Sequence, residues 1–474
     1  MKKLLLAFFL SCLAALPLLC GCTTPVLPDA PTVCEHRYGT DWECLDCDHS
    51  MLPSEGLVFA LNANGASYTV TGIGTCTDEE LVIPATHAGI PVTIVSANAF
   101  AANDTIKALY LPCTLTTIEN EAFLGCASLT TVWIPDNVLQ INTSAFARCS
   151  SLTELRLPNN VGTRVGYFAF ADCTALKTVT VNYGSKFVTD DGVMEMQGGD
   201  NTSTFDGCTS LESVVIGSNV TRIGKGMFAD CTSLKSVTLS ESVTDIWHGA
   251  FAHCTALEDL TIPESVTLIE NGAFYQCDAL LQEENGIFYA DNWVVDCDRA
   301  ITTATLRAGT VGIANDVFMQ HKNLTSITLP DSLKHLGKQA FSCCRKLESI
   351  TIPDGVNRID DRTFEACSNL RSVILGDGVT ELDPSAFADC QLLETIVIPK
   401  GMTSIGMGAF NNCRQLRFVY YCGDKALWST IKINSQNDKL TVFSGGAQIC
   451  YYTEEPTTAA NAWHYVDGVP THWN

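Results

Sequence analysis

Five metal-capable side chains crowd one short stretch near the start of this 474-residue chain. Cys34, His36, Cys44, Cys47 and His49 offer thiolates and imidazoles, and Cys44-x-x-Cys47 has the spacing of a zinc knuckle. Four such ligands in a tetrahedron would fill the shell of a Zn²⁺ ion, so the metal would be structural. The same residues also suit one disulfide with a spare thiol in an exported chain, or a linker with no site. No other cofactor is indicated.

A second set of thiols is periodic. Cys126, Cys149, Cys173, Cys208, Cys231, Cys254, Cys277, Cys344, Cys367, Cys390 and Cys413 each stand three residues after a Phe, and Asn103 and His321 take that place in two units. Metal binding and disulfides are one reading of such a column. Side chains pointing in parallel cannot all pair, however, and free Cys behaves as a small hydrophobe with a weak donor. The expectation is therefore a buried ladder of thiols at a tight turn, with His321 a satisfied structural residue. The chain has no G-x-S-x-G, no H-E-x-x-H and no phosphate loop, and its nine His are scattered. The expectation is a protein that is not an enzyme.

The elements that position these residues come from one repeated phrase, L-x-x-V-x-I-P-x-x-V-x-x-I-x-x-x-A-F-x-x-C. Its closing Phe falls at positions 100, 123, 146, 170, 205, 228, 251, 274, 318, 341, 364, 387 and 410. Most gaps are 23 residues, with single gaps of 24, 35 and 44. A fixed period of this length marks a solenoid, in which each unit is too small to bury its own apolar face and stacking supplies one continuous core. The L-x-x-V-x-I segment predicts a short half-buried strand, ended by a proline that has no N–H to donate. V-x-x-I packs inward from the far side.

With thirteen matching Phe positions, the chain resembles the BspA-like (TpLRR, or LRR_5, type) class of bacterial leucine-rich-repeat surface lipoproteins, from about residue 57 to 452. The resemblance implies a β-rich leucine-rich-repeat solenoid, a curved parallel-sheet array with the L-x-x-V-x-I strands on its concave side. It also implies a surface or secreted protein that adheres to or binds partners. Residues 1–22 read as a targeting segment: Lys2-Lys3, an apolar run, then Leu19-Cys20-Gly21-Cys22, which resembles a lipobox and makes Cys22 the lipidated residue. The expected address is the extracellular face of the bacterial cell membrane, or a secreted form if the segment is an ordinary signal peptide.

The expected plan continues with a proline-containing tether over 23–56, holding the Cys/His knuckle, and an N-terminal cap with a hairpin over 57–100. Repeats fill 101–416, with about thirteen rungs and insertions at 182–203 and 281–300. A C-terminal cap over 417–452 and a tail over 453–474 complete it. The first insertion reads as a surface loop, and the second as a β-hairpin hanging off the solenoid. Formal net charge is −24, and removal of Lys2 and Lys3 takes it to −26. Nucleic acid, which needs a basic footprint, is excluded as a partner.

In each L-x-x-V-x-I strand the third and fifth residues point outward. Most of these pairs are Ser and Thr, which favour strand formation and say nothing about chemistry. Tyr110, Trp133 and Arg156 differ. They fall on consecutive rungs of one column, and aromatic rings beside a guanidinium are residue types enriched at interface hot spots. They are the expected ligand-binding residues, for a host or microbial surface protein or glycan. The alternatives are a cross-strand stack that merely protects this end, and a non-catalytic scaffold whose face has no dedicated ligand.

Overall fold

A computed structural model describes residues 52–160, 162–183, 202–441 and 446–473. Its architecture is a β-solenoid of about fifteen turns with very little helix. Two ladders of short parallel strands run its length. The front ladder is built from L-x-x-V-x-I segments such as Ala108–Tyr110, Thr131–Trp133 and Glu154–Arg156, and the flank ladder from V-x-x-I segments such as Thr117–Ile118 and Gln140–Ile141.

Fifteen front strands replace the thirteen rungs expected. Each cap adds one: Glu80–Val82 pairs in parallel with Ala108–Tyr110, and Gln448–Tyr452 pairs with Phe418–Tyr421. The Glu80–Val82 unit closes on Phe100, which stacks on Phe123, whereas no Phe closes the unit of Gln448–Tyr452; both strands extend the ladder through parallel pairing. The N-terminal hairpin, Val58–Leu61 with Tyr68–Gly72, joins the flank ladder. Ser54, within the expected tether, docks on the cap by accepting from the Val82 amide at 3.1 Å and donating its own amide to the Val82 carbonyl at 3.0 Å.

Between the ladders lies one core. Leu, Val and Ile of each front strand, the two apolar residues of each flank strand, and the Ala-Phe pair are buried in unit after unit. Successive Phe rings stack at 5.0–5.7 Å with interplanar angles of 2–11°. Burying each ring contributes about 1.5–3 kcal/mol. The turn after each Phe is tight: the residue before each ladder Cys has positive φ, as in Arg148, Asp172, Asp230 and Asp389.

Each ladder thiol donates to the carbonyl of the Phe one unit earlier, at 2.9–3.4 Å, from Cys126 to Phe100 through Cys413 to Phe387. All eleven are buried and free, and burial pushes the thiols up, that of Cys126 to about 12. His321 uses both ring nitrogens in the same place. Its Nδ1 accepts from the Leu324 amide at 3.1 Å, which leaves Nε2 to donate to the Asp298 carbonyl at 3.1 Å.

The second insertion differs from expectation. Ile287–Ala290 and Trp293–Cys297 do form a hairpin, but it does not hang off the solenoid. Trp293–Cys297 is a flank strand, paired in parallel with Gly312–Ile313, and Ile287, Tyr289, Ala290, Trp293 and Val294 are core residues. The apolar content of the hairpin decides this, since exposed it would leave two large rings in water. Trp293 crosses Gly312 to stack on His335 at 5.5 Å, and a Cβ on Gly312 would collide with the indole. Of the first insertion, the described Tyr183 is buried in the core.

Candidate functional site

Tyr110, Trp133 and Arg156 stand on three neighbouring front strands, each directly opposite the next. They share an outward-facing position because the strand period is two; the residues on either side of Tyr110 and Trp133 are buried, and Arg156 lies between partly buried Leu155 and buried Leu157. All three are half-buried. Val82 of the cap strand opens the column and is itself buried.

A second outward column runs beside the first. It consists of Glu80, Ala108, Thr131 and Glu154, again in register. The small pair in the middle leaves a shallow floor next to the two rings, with an exposed carboxylate at each end. The Tyr110 hydroxyl is held above its ordinary pKa, by burial first and then by Glu80 and Glu154.

Arg156 reaches the Asp136 carboxylate at 3.6 Å, and that carboxylate also accepts from the Asn159 amide at 3.0 Å. Amides continue this edge. Asn159 Oδ1 accepts from Asn182 Nδ2 at 2.7 Å, and Asn182 Oδ1 accepts from the Asn219 amide at 3.0 Å. The guanidinium is thus held from one side with its own counter-charge. The arrangement offers ring faces, a positioned cation and carboxylates; it lacks a paired nucleophile and base.

Farther along, most outward positions are polar, with Val215 exposed among them: Thr178, Thr180, Ser236 and Thr238 give way to Ser326, Thr328, Ser349 and Thr351. At the C-terminal end the fifth-position column turns apolar through Ile374, Val397, Tyr420 and Cys450, each opposite the next. As the third and fifth residues of their strand, Phe418 and Tyr420 were expected to point outward. The tail covers them. Ala462–Val466 pairs in parallel with Gln448–Tyr452 and turns back as Val469–His472. Trp463 is fully buried 5.2 Å from the Tyr420 ring, and its indole N–H donates to the Tyr421 carbonyl at 3.0 Å. His472 packs edge-on against Phe418 at 5.0 Å and is hydrogen-bonded to the Tyr420 hydroxyl at 3.3 Å. Gln448–Tyr452, expected to close the sheet, is therefore followed by two more strands.

Cys22 and the five residues Cys34, His36, Cys44, Cys47 and His49 lie outside the described residues. Among the described residues no group of three or more His, Cys, Asp or Glu is placed to hold a metal ion. No helix among them is long and apolar enough to cross a membrane. The sequence singled out the rings and Arg156 but not the carboxylates of Glu80, Glu154 and Asp136 around them; counting the cap strand as a rung would have placed Glu80 in the Glu154 column.

A sequence profile described as the BspA type leucine rich repeat region matches residues 79–191, 201–283 and 296–423, in six copies. No curated protein matches the chain. Among solved structures, a leucine-rich repeat protein from Bacteroides ovatus is 21% identical, with 80% of this chain and 98% of that one covered, at a TM-score of 0.41. A leucine rich cell surface protein from Faecalibacterium prausnitzii is 27% identical over 80% of this chain and 97% of that one, at a TM-score of 0.36. The pneumococcal vaccine antigen PcpA is 17% identical over 85% and 93%, at a TM-score of 0.33.

Proposed function

This chain belongs to the BspA-type leucine-rich repeat family, and from that premise we propose that it is a cell-surface binding protein that recognises a macromolecular partner through Tyr110, Trp133 and Arg156. The observation that carries the reading is the in-register column of two half-buried rings and a guanidinium on a front sheet whose middle is mostly Ser and Thr. Large rigid rings and Arg dominate binding energy where they can be fully desolvated by a partner. The work is binding: side chains on this face are spaced to touch a surface, and none is aligned to move a proton to a reacting atom. The chain is held at the extracellular face of the membrane by lipid on Cys22, with a tether within residues 23–56.

The test is a screen of residues 23–474 against arrayed extracellular-matrix proteins and glycans, beside a variant carrying Tyr110→Ala, Trp133→Ala and Arg156→Ala. Saturable binding that the variant loses supports the reading and the site. Binding that survives moves the site to another part of the solenoid. No binding favours the scaffold reading, which the Ser/Thr-rich middle of the front sheet also suits.

A further inference from the structure

The charges around the aromatic column are unevenly settled. Each nearby cation already has a partner: Lys107 meets Glu79 at 2.6 Å, and Arg156 meets Asp136 at 3.6 Å. Glu80 and Glu154, at the two ends of the small-residue floor, are in no ion pair among the described residues. Both act on Tyr110, whose hydroxyl they hold above its ordinary range after burial has done the larger part. The face of an aromatic ring is itself the negative part of its quadrupole, so rings and carboxylates here attract the same kind of group. The chain as a whole carries −24, which repels anions and steers cations toward such a site.

We propose that this strip docks an extended basic segment of a partner protein, with two Lys or Arg side chains four residues apart. The proposal rests on the recognition reading above and adds the chemistry of the occupant. The spacing follows from the ladder. Glu80 and Glu154 are three rungs apart, which at about 4.8 Å per rung is about 14 Å. An extended segment crossing the rungs advances about 3.3–3.4 Å per residue, so about four residues separate the two carboxylates. Residues an even number apart on a strand share a face, so both basic side chains point to the floor together. The residues between them lie over Ala108 and Thr131, beside the Tyr110 and Trp133 rings.

The experiment uses the full chain in detergent and NMR titration of three ten-residue peptides. One carries Lys at two positions four apart in a Ser/Thr background, one carries the same two Lys three apart, and one has Ser in place of both. The expected order is four apart, then three apart, with the Lys-free peptide not binding. Glu80→Gln and Glu154→Gln should each weaken the first peptide up to about fivefold, as exposed charge pairs do. Raising NaCl from about 0.05 to 0.5 M should weaken it further, because salt screens exposed charges. Trp133→Ala should remove binding.

Absence of binding by the first peptide overturns the proposal, as does binding of the Lys-free peptide with equal strength. The screen above is repeated with Glu80→Gln and Glu154→Gln combined. A partner lost on Trp133→Ala but indifferent to salt and to the Gln variants keeps the recognition strip and discards the basic occupant. A neutral glycan behaving in that way also discards it. A partner indifferent to Trp133→Ala discards both.

Discussion

Tyr110 and Tyr420 occupy the same outward column of the front sheet, near opposite ends of it. At the C-terminal end the chain covers its own aromatic residues: Trp463 and His472 close over Phe418 and Tyr420, and a separate small core of Val397, Tyr420, Cys450 and Trp463 results. At the N-terminal end Tyr110, Trp133 and Arg156 stay half-exposed, edged by carboxylates. The difference shows that apolar residues in this column have two uses. Where they run unbroken from Ile374 to Cys450 they are a seat for another piece of the chain. Where they are framed by charge they remain at the surface, because covering Glu80, Glu154 and Arg156 with an apolar hairpin would leave ions without water.

The strongest way to break this contrast is to remove residues 453–474. If the tail is part of the C-terminal core, the truncated chain loses more than about 3 kcal/mol locally, and amide exchange at Phe418–Tyr421 accelerates while that at Thr131–Trp133 does not change. Equal protection with and without the tail would mean that the hairpin adds nothing. Trp463→Ala should cost about 3–5 kcal/mol in the same region, read by denaturant-dependent exchange since a solenoid need not unfold in one step. Its counterpart Trp133→Ala should cost about 1 kcal/mol or less, and a larger loss would recast the N-terminal strip as a core element.

The finest comparison is between the two hydroxyls. Both Tyr110 and Tyr420 titrate above the ordinary Tyr range, the first by burial with added repulsion from Glu80 and Glu154, the second by burial with a contribution from Cys450. Carboxylates favour the neutral phenol, so replacing Glu80 and Glu154 by Gln should move Tyr110 downward and leave Tyr420 in place. NMR titration of ring-labelled Tyr, assigned with Tyr110→Phe and Tyr420→Phe, checks this; movement of both would show that the effect is not local.

The rungs were legible because one residue type at one spacing specifies them. Phe and the following Cys recur every 23 residues, and the structure stacks those rings and points those thiols at the Phe carbonyls one unit back. The ends were less legible, since no Phe follows Gln448–Tyr452 to mark a repeat, and a small hairpin of Thr86–His87 with Ile90–Val95 separates Glu80–Val82 from Phe100. The tail held a signal that counting repeats passes over. Asp467-Gly468 supplies two consecutive positive-φ residues between Ala462–Val466 and Val469–His472, the usual makings of a two-residue hairpin turn. The outward pairs Ser372/Ile374, Thr395/Val397 and Phe418/Tyr420 were a second signal, a face growing apolar where something was to cover it. In the 281–300 hairpin the strands were readable but the direction they faced was not, because Tyr289 and Trp293 would serve as well on an exposed hairpin as in a core. The aromatic strip was readable from register alone, and its acidic frame was not, because Glu80 lies in a strand outside the counted repeats.

The stacked Phe rings have a break with mechanical meaning. Rings run without interruption from Phe100 to Phe274 and again from Phe318 to Phe410, and among the described residues no ring contact joins the two runs. The thiol ladder is interrupted at the same place, where His321 stands for the Cys and donates to the Asp298 carbonyl instead of to that of a Phe. A row of nearest-neighbour contacts fails first at its weakest junction. Stretched between its two ends, this chain should part near residues 281–317 into two cooperative blocks, the first carrying Tyr110, Trp133 and Arg156 and the second carrying the tail.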